Sequence, residues 1–291
     1  MKPEILIVRY GEIGLKKKIT RRFFENTLIK NIKYALQQEN IDFEIEQKRA
    51  RIYLYLKQIN NCSNIFTKIF GITSFSPAYK TISNKESLKK LALKISENKI
   101  SKNTSFALKV NRLGNHDFSS QDIAVFLGDA IKKKTNAPVN LSNPDITLFV
   151  EIMENESFLF FEKIHGPGGL PVGTQGRVLS YINSKEDILA SWYIIRRGCT
   201  PIFLIKEKVF SNIIEEFNKN WYCNCYIEKN KILDFDKYSK QKKCDAIVTG
   251  LNVQDINKIK DLKNQIKTPV LHPLIGLSQE EVNRKLKEIG L

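Results

Sequence analysis

Past residue 173 the chain alternates strictly between short apolar runs and helical periods, and few folds accept that order. The apolar runs are Arg177–Ile182, Pro201–Ile205, Tyr222–Ile227, Asp245–Thr249 and Thr268–Leu271. Helical segments lie between them and after the last, ending at Leu286–Ile289. Repeated strand–helix–strand connections call for a doubly wound, mostly parallel sheet, which takes nucleotides at its carboxyl edge. The first crossover is the informative one. A buried strand at Arg177–Ile182 leads to a helix over Asp187–Arg197 that Gly198 closes, through Asn183-Ser184-Lys185-Glu186. That connection has no glycine. A phosphate-cradling loop exposes backbone N–H groups to close approach, and glycine is what normally permits it. The scaffold of a nucleotide-binding domain is therefore expected without the loop that does the binding.

Upstream, residues 1–75 read as strand, helix, strand, strand, helix, strand, the order of a ferredoxin-like sandwich. Glu4–Arg9 is the first strand. Thr20 is the expected cap of a helix with Phe24, Leu28, Ile32 and Leu36 at four-residue spacing. Ile41, Phe43 and Ile45 alternate with polar residues, Lys48-Arg49-Ala50 turns the chain, and Ile52–Leu56 returns. A short helix from Ser63 stops at Gly71, and a strand follows near Ser74–Tyr79. Residues 76–165 form a second α+β unit. It opens on a capping box at Ser83-Asn84-Lys85-Glu86 and contains a helix from Ser119 or Ser120 and strands at Phe106–Val110, Ile146–Ile152 and Phe158–Phe161. Gly166-Pro167-Gly168-Gly169-Leu170-Pro171-Val172-Gly173 reads as the linker to a third domain, 174–291.

The net charge of +16 favours a polyanionic partner, through counterion release from phosphates. The excess is spread, at +7, +3 and +6 over residues 1–75, 76–165 and 166–291. A Lys- and Asn-rich composition alone would also produce it. No run of about 18 apolar residues occurs, so no membrane span is expected. Five unevenly spaced cysteines argue against a disulfide framework and for a reducing cytoplasm. Cys223-Asn224-Cys225, on an expected strand, would point its thiols to opposite faces, poor geometry for redox or metal chemistry. Cys199 and Cys244 read as structural.

Two basic groups stand out as nucleic-acid contacts. Lys16, Arg21 and Arg22, with Lys17 and Lys18, crowd a helix start where cations oppose the dipole, a cost that phosphates would relieve. Lys109 and Arg112 lead into a loop carrying His116 and Phe118, an imidazole and a ring of the kind that stacks on unpaired bases. Lys132 and Lys133, beside Lys134, end a helix of the same unit. Each also reads as an ordinary solvated charge. Asp187 has two readings, a magnesium ligand or the cap of the helix beginning at Ile188; the cap is the simpler.

Four islands in order resemble the tRNA 4-thiouridine synthetase family, the tRNA sulfurtransferases that also serve thiamine biosynthesis. They are Arg9-Tyr10-Gly11-Glu12-Ile13-Gly14-Leu15-Lys16 with Arg21–Glu25; Phe70-Gly71-Ile72 with Phe106–Arg112 and Asn115–Phe118, similar to a THUMP domain; Gly168–Thr174; and Ala246–Gly250 with Pro269–Gly276. The resemblance implies a ferredoxin-like domain and a THUMP domain that hold tRNA, followed by an ATP-pyrophosphatase domain that adenylates a uridine before a persulfide cysteine delivers sulfur. The third domain departs from that pattern. The family's Ser-Gly-Gly-x-Asp-Ser loop is replaced by Asn183-Ser184-Lys185-Glu186-Asp187, in which only Asp187 survives. Leu251-Asn252-Val253-Gln254-Asp255 replaces the second wall of the ATP site. Only about fifty residues separate Cys199 from Gly250, so one βα-sized piece and its cysteine motif are missing. The expectation is a cytoplasmic tRNA-binding protein with no catalytic residue, no metal and no cofactor of its own, presenting tRNA to a second copy or to a separate catalytic subunit. The alternative is an active sulfurtransferase using ATP and magnesium through a divergent loop, with Cys223, Cys225 or Cys244 carrying sulfur. A scaffold that no longer binds RNA is the third reading.

Overall fold

Ile5-Leu6-Ile7-Val8 has no polar residue to turn toward water, so it suits an interior strand. In the computed structural model, which describes all residues except 49, 58, 60, 61, 206, 208 and 230–233, it forms β1 (Ile5–Arg9), buried at every position. The chain continues through a 3-10 turn at Glu12–Leu15, α1 (Lys18–Gln38), β2 (Phe43–Lys48), β3 (Arg51–Leu56), α2 (Ser63–Phe66) and β4 (Ser74–Ile82). Next come α3 (Lys85–Ser96), β5 (Phe106–Arg112), α4 (Ser120–Thr135), β6 (Ile146–Ile152), β7 (Glu156–Phe160) and β8 (Ile164–His165). The remainder is β9 (Arg177–Ile182), α5 (Lys185–Arg196), β10 (Thr200–Ile205), α6 (Val209–Asn220), β11 (Tyr226–Glu228), α7 (Phe235–Lys242), β12 (Ala246–Val248), α8 (Ile256–Gln265), β13 (Val270–Leu271) and α9 (Gln279–Ile289).

The chain divides into two compact units. One comprises Met1–Arg9, Ile41–Ser63 and Ser74–Ile164; the other comprises Tyr10–Asn40, Asn64–Thr73 and His165–Leu291. The first is built on one sheet of order β2-β3-β1-β4-β7-β6-β5. Its β2-β3-β1-β4 part is antiparallel throughout, the strand order of a ferredoxin-like sandwich. β4 is long enough to serve two neighbours: Ser74–Ala78 pairs with β1, and Tyr79–Ile82 pairs with β7. Beyond it β6 and β7 are antiparallel, and β5 and β6 parallel. Leu88, Ile95, Ile123, Leu127 and Ile131 of α3 and α4 pack with Phe106, Leu148 and Val150 of the strands.

The second unit carries a five-stranded parallel sheet of order β11-β10-β9-β12-β13. Alternation along β9 feeds two cores. Val178 and Ile182 join Ile188, Leu189 and Trp192 of α5, Ile214 and Phe217 of α6, and Val282 and Leu286 of α9. Leu179, with Tyr181 at its margin, joins Ile202, Leu204 and Ile247 and the ring of Phe235 on the opposite face. Helices therefore cover both faces, as strict strand–helix alternation requires.

Several local expectations shift. α1 begins at Lys18 after Lys17, with no side-chain cap and no acid in its first turn, so Thr20 lies inside it. Phe24, Leu28, Ile32 and Leu36 are all buried, because period sets the face even where the cap is misplaced. The cap of α3 is Asn84, which accepts from the Ser87 N–H, rather than a box from Ser83. Ser119 caps α4 with Asp122 as its reciprocal partner. At the turn expected from Lys48-Arg49-Ala50, Ala50 has φ 61°, and Arg49 lies outside the described residues. The glycine-rich segment is no free linker. The Gly71 N–H donates to Gly168 O at 2.8 Å, the Leu170 N–H to Arg196 O at 2.9 Å and the Gly173 N–H to Gly198 O at 2.9 Å.

Candidate functional site: a self-occupied anion cradle and its cleft

β9 ends at Ile182 and α5 begins at Lys185, so two residues make the turn. Ser184 is the helix cap: its backbone is extended, and its Oγ accepts from the Asp187 N–H at 3.3 Å. The Asp187 carboxylate answers. Its Oδ2 accepts from the Asn183 N–H at 3.0 Å, the Ser184 N–H at 3.0 Å and the Ser184 hydroxyl at 3.2 Å. Asp187 is thus the third helical residue and reciprocal member of a capping box, not the cap itself. Its other oxygen, Oδ1, accepts from the Gly250 N–H at 2.6 Å, across from β9 on the loop that follows β12. The carboxylate is buried, which pushes its pKa above the ordinary carboxylate range, while the donors from Gly250, Asn183 and Ser184 pull the other way.

Main-chain N–H groups from two loops thus converge on one point at a helix start, which is the construction of an anion site. The anion in it is the chain's own. Gly250 is what brings the loops together: a Cβ there would lie 2.5 Å from Asp187 N and 2.5 Å from the Glu186 carbonyl carbon. Asn183 and Lys185 are exposed, and Ser184 and Glu186 half-buried.

A cleft of about 690 Å³ opens beside the cradle, lined by Asn183, Ser184, Asp187 and Gly250 among others. β9 and β12 are neighbours although three strands apart in chain order, so this is the switch point of the sheet, where ligands of such folds sit. The apolar side of the cleft is formed by Tyr181, Phe235, Ile247, Ile266 and Val270. The Tyr181 and Phe235 rings meet edge-to-face at 5.1 Å. Among the described residues its charged lining is Glu186, Asp187, Asp255 and Asp261 against Lys258, and Lys258 is paired with Asp255 at 2.7 Å. At the rim, Thr249 Oγ1 and His272 Nδ1 lie 2.8 Å apart, and burial holds the imidazole below its ordinary pKa.

The Phe235 wall is anchored by its neighbour. Asp236 accepts from the Lys267 N–H and from the N–H and hydroxyl of Thr268, and these donors hold it at about 2. A depressed carboxyl stabilises the fold above its unfolded value, about 3.9, and loses that contribution as pH falls toward 2. Urea midpoints measured from pH 5 down to about pH 2 are therefore expected to fall less steeply in Asp236→Asn than in the unsubstituted chain.

The sequence-nominated nucleic-acid contacts divide between the units. In the first, Lys109 and Arg112 lie on β5, Lys109 exposed and Arg112 donating to Gly114 O at 3.1 Å. Lys132 and Lys133 are exposed at the carboxyl end of α4, where they suit the dipole. Phe118 corrects an expectation. It is a core residue, 6% exposed, with His116 stacked on it at 5.1 Å, so its ring is not open to a base. His116 is half-buried, and its Nε2 has no hydrogen-bond partner among the described residues. In the second unit, Lys16 and Arg22 are exposed, Lys16 near the Phe24 ring, while Arg21 pairs with Glu25 at 3.8 Å. Phe23, 52% exposed beside Arg22, is an open aromatic ring that the sequence reading passed over.

The cysteines are free thiols, and the CxC segment corrects another expectation. It precedes β11, with Tyr222 at φ 47° and Asn224 at φ 48°, so alternation fails and the thiols are neighbours. Burial first, then Cys223, pushes the Cys225 thiol well up, and burial pushes Cys244 to about 11. Neither favours the thiolate needed for nucleophilic sulfur chemistry.

Three family models match the chain in order: a ThiI ferredoxin-like domain over residues 5–76, a THUMP domain over 83–162 and Thiamine biosynthesis protein (ThiI) over 202–291. A protein of Methanobrevibacter smithii named "Probable tRNA sulfurtransferase" is 34% identical, over all of this chain and 87% of its own length. That pairing runs over 339 positions against 291 residues here, a difference of 48. A Methanocaldococcus jannaschii protein of the same name is 32% identical over 98% of this chain and 87% of its own. A crystal structure of a Pyrococcus horikoshii protein superposes with TM-score 0.84 at 28% identity, covering 99% of this chain and all of the other. A 4-thiouridine synthetase solved with RNA and ATP superposes with TM-score 0.83 at 22% identity, covering 99% of this chain and 85% of its own, a likeness of fold.

Proposed function

The chain belongs to the tRNA sulfurtransferase family, and on that premise we propose that it binds tRNA without adenylating it, delivering the RNA to a second copy or to a separate catalytic subunit. One observation carries this reading: the connection from β9 to α5 is reduced to Asn183 and Ser184 with no glycine, so no open loop of backbone N–H groups remains there for a triphosphate, and the two N–H groups present are held by Asp187. A second anion brought there meets a buried carboxylate in a poorly screened site. ATP does not fit this donor set, and no step is assigned to it or to magnesium. The 48-position difference from the archaeal relative agrees with the loss of about one βα unit. The raised thiols of Cys225 and Cys244 weigh against a sulfur carrier at either.

The tRNA half of the proposal rests on charge and on the THUMP match. Exposed Lys109, Lys132 and Lys133 on one unit, and Lys16 and Arg22 with the open Phe23 ring on the other, supply cations for phosphates and a ring for an unpaired base. Fluorescence anisotropy with labelled tRNA is expected to show affinity falling tenfold or more between about 50 and 200 mM salt. Replacing Lys109 and Lys132 together by alanine should lower the salt slope by roughly 2. Affinity that ignores salt, or no affinity at all, would remove the RNA half. The catalytic half is tested by ATP–pyrophosphate exchange with tRNA present. Appreciable exchange restores the active-sulfurtransferase reading.

A further inference from the structure

We infer that Cys223 and Cys225 are a redox couple that closes to a disulfide across Asn224 and opens again to two thiols. The inference is independent of the reading of Asp187 and of tRNA binding. It starts from the turn that carries the pair. α6 ends at Asn220 and β11 begins at Tyr226, and between them Tyr222 and Asn224 take left-handed backbone at φ 47° and 48°. A fully extended strand sets Cα atoms two residues apart at about 6.6 Å, the far end of the range a disulfide spans, and a left-handed residue between them shortens that step. The two side chains hydrogen-bond to one another. Left-handed residues other than glycine persist only where their surroundings hold them, and Asn218 does so here. Its Oδ1 accepts from the Cys225 N–H at 2.9 Å, its Nδ2 donates to Cys225 O at 3.2 Å, and its own carbonyl accepts from the Cys223 N–H at 3.3 Å. The thiols are therefore held side by side before any oxidant arrives.

Their surroundings select the oxidant. Cys223 and Cys225 are 4% and 8% exposed, at the margin of the core that α5, α6 and α9 share. The Cys223 thiol donates to Trp221 O at 3.4 Å, and the Trp221 ring stacks on Phe70 at 5.2 Å. So little exposure admits a small hydroperoxide and excludes the active site of another protein. The Cys223 thiolate attacks one peroxide oxygen and the O–O bond breaks. Cys223 becomes a sulfenic acid, and an alcohol or water leaves with the proton that Cys223 gave up. The Cys225 sulfur then attacks the Cys223 sulfur, the S–O bond breaks, and water leaves with the Cys225 proton. Two thiols lose two electrons, and the peroxide gains them. Burial first, then Cys223, pushes the Cys225 thiol well up, which assigns it the second step. There a partner at contact distance offsets a scarce thiolate through high effective molarity. A ring closed over one intervening residue is strained, and strained disulfides are the readily reduced ones, so the bridge is reversible rather than a staple.

Hydrogen peroxide added to the reduced full chain tests this, followed by quenching, alkylation in urea and peptide mapping. The expected result is a fall from five free thiols to three, with one bridge between Cys223 and Cys225, and a return to five on adding reduced glutathione. Tryptophan emission should fall and recover in step with the bridge, because a disulfide quenches an indole beside it. Cys225→Ser should stop at the sulfenic acid of Cys223, which dimedone captures, and Cys223→Ser should leave Cys225 a thiol at the same peroxide dose. Should either serine variant fail to fold, the map of the unsubstituted chain still decides. Three outcomes overturn the inference. One is recovery of both cysteines as alkylated thiols after the more exposed Cys199 and Cys244 have oxidised. Another is a bridge from either cysteine to any other thiol, and the last is passage of either to sulfinic acid without bridging.

Discussion

Gly250→Ala is expected to be among the most destabilising single-methyl substitutions in this chain. The new Cβ would stand 2.5 Å from Asp187 N, 2.5 Å from the Glu186 carbonyl carbon and 2.8 Å from the Glu186 oxygen. These are backbone atoms in the first turn of α5, so no flexible side chain can swing aside. The loop must retreat, and retreat has its own cost: the Gly250 N–H is the donor to Asp187 Oδ1 at 2.6 Å. Relief of the clash therefore strips a buried carboxylate of a charge-assisted hydrogen bond. Overpacking of about 1–3 kcal/mol and a lost bond to a charged group of about 1.5–3 kcal/mol act together, for roughly 3–5 kcal/mol. Urea denaturation of the purified variant measures this directly. A loss below about 1 kcal/mol would mean that β12 and α5 are not locked through this contact.

How much of this was legible beforehand follows from what each signal encodes. Apolar period encodes which face is buried, so Phe24, Leu28, Ile32 and Leu36 are where the spacing puts them, and strict alternation of runs yielded the parallel sheet. Backbone sign is not encoded by period. Cys223 and Cys225 alternate with Asn224 like a strand, yet Tyr222 and Asn224 are left-handed and β11 starts only at Tyr226. Tertiary closure is not encoded either. The glycine-rich segment has linker composition, but its amides and carbonyls bond to Gly71, Arg196 and Gly198. Phe118 follows a polar loop and looked available, whereas its ring completes the core under α3 and α4.

The site was half legible for the same reason. Ser184-Lys185-Glu186-Asp187 has the spacing of a capping box, a local pattern that sequence does carry. Absence of glycine located the altered loop. What no local pattern holds is the partner 63 residues away: Gly250 is visible as a glycine after a strand, but its donation to Asp187 belongs to the topology that makes β9 and β12 neighbours. The same topology lets a single side chain serve as cap partner, inter-strand clamp and resident anion. A surviving acid in a lost motif is then better explained by what it now holds together than by the metal it once could have bound.

Asp187→Asn separates these roles and is the second substitution with a large expected effect. The change is nearly isosteric, so packing is preserved and only the hydrogen-bond chemistry differs. Both carboxylate oxygens accept, Oδ1 from Gly250 and Oδ2 from Asn183 and Ser184. Asparagine keeps one acceptor and turns the other position into a donor. With its oxygen toward Ser184, its NH₂ faces the Gly250 N–H; with its oxygen toward Gly250, the NH₂ faces the two loop amides. Either orientation buries donor against donor, at a cost of about 2–4 kcal/mol. Phosphate should not rescue this variant, because the amide still fills the cradle, whereas it should rescue Asp187→Ala, whose cradle is empty. Thermal unfolding of both variants with and without phosphate reads the difference. Equal rescue, or an asparagine variant as stable as the original, would show that the convergent amides do not depend on a resident negative charge.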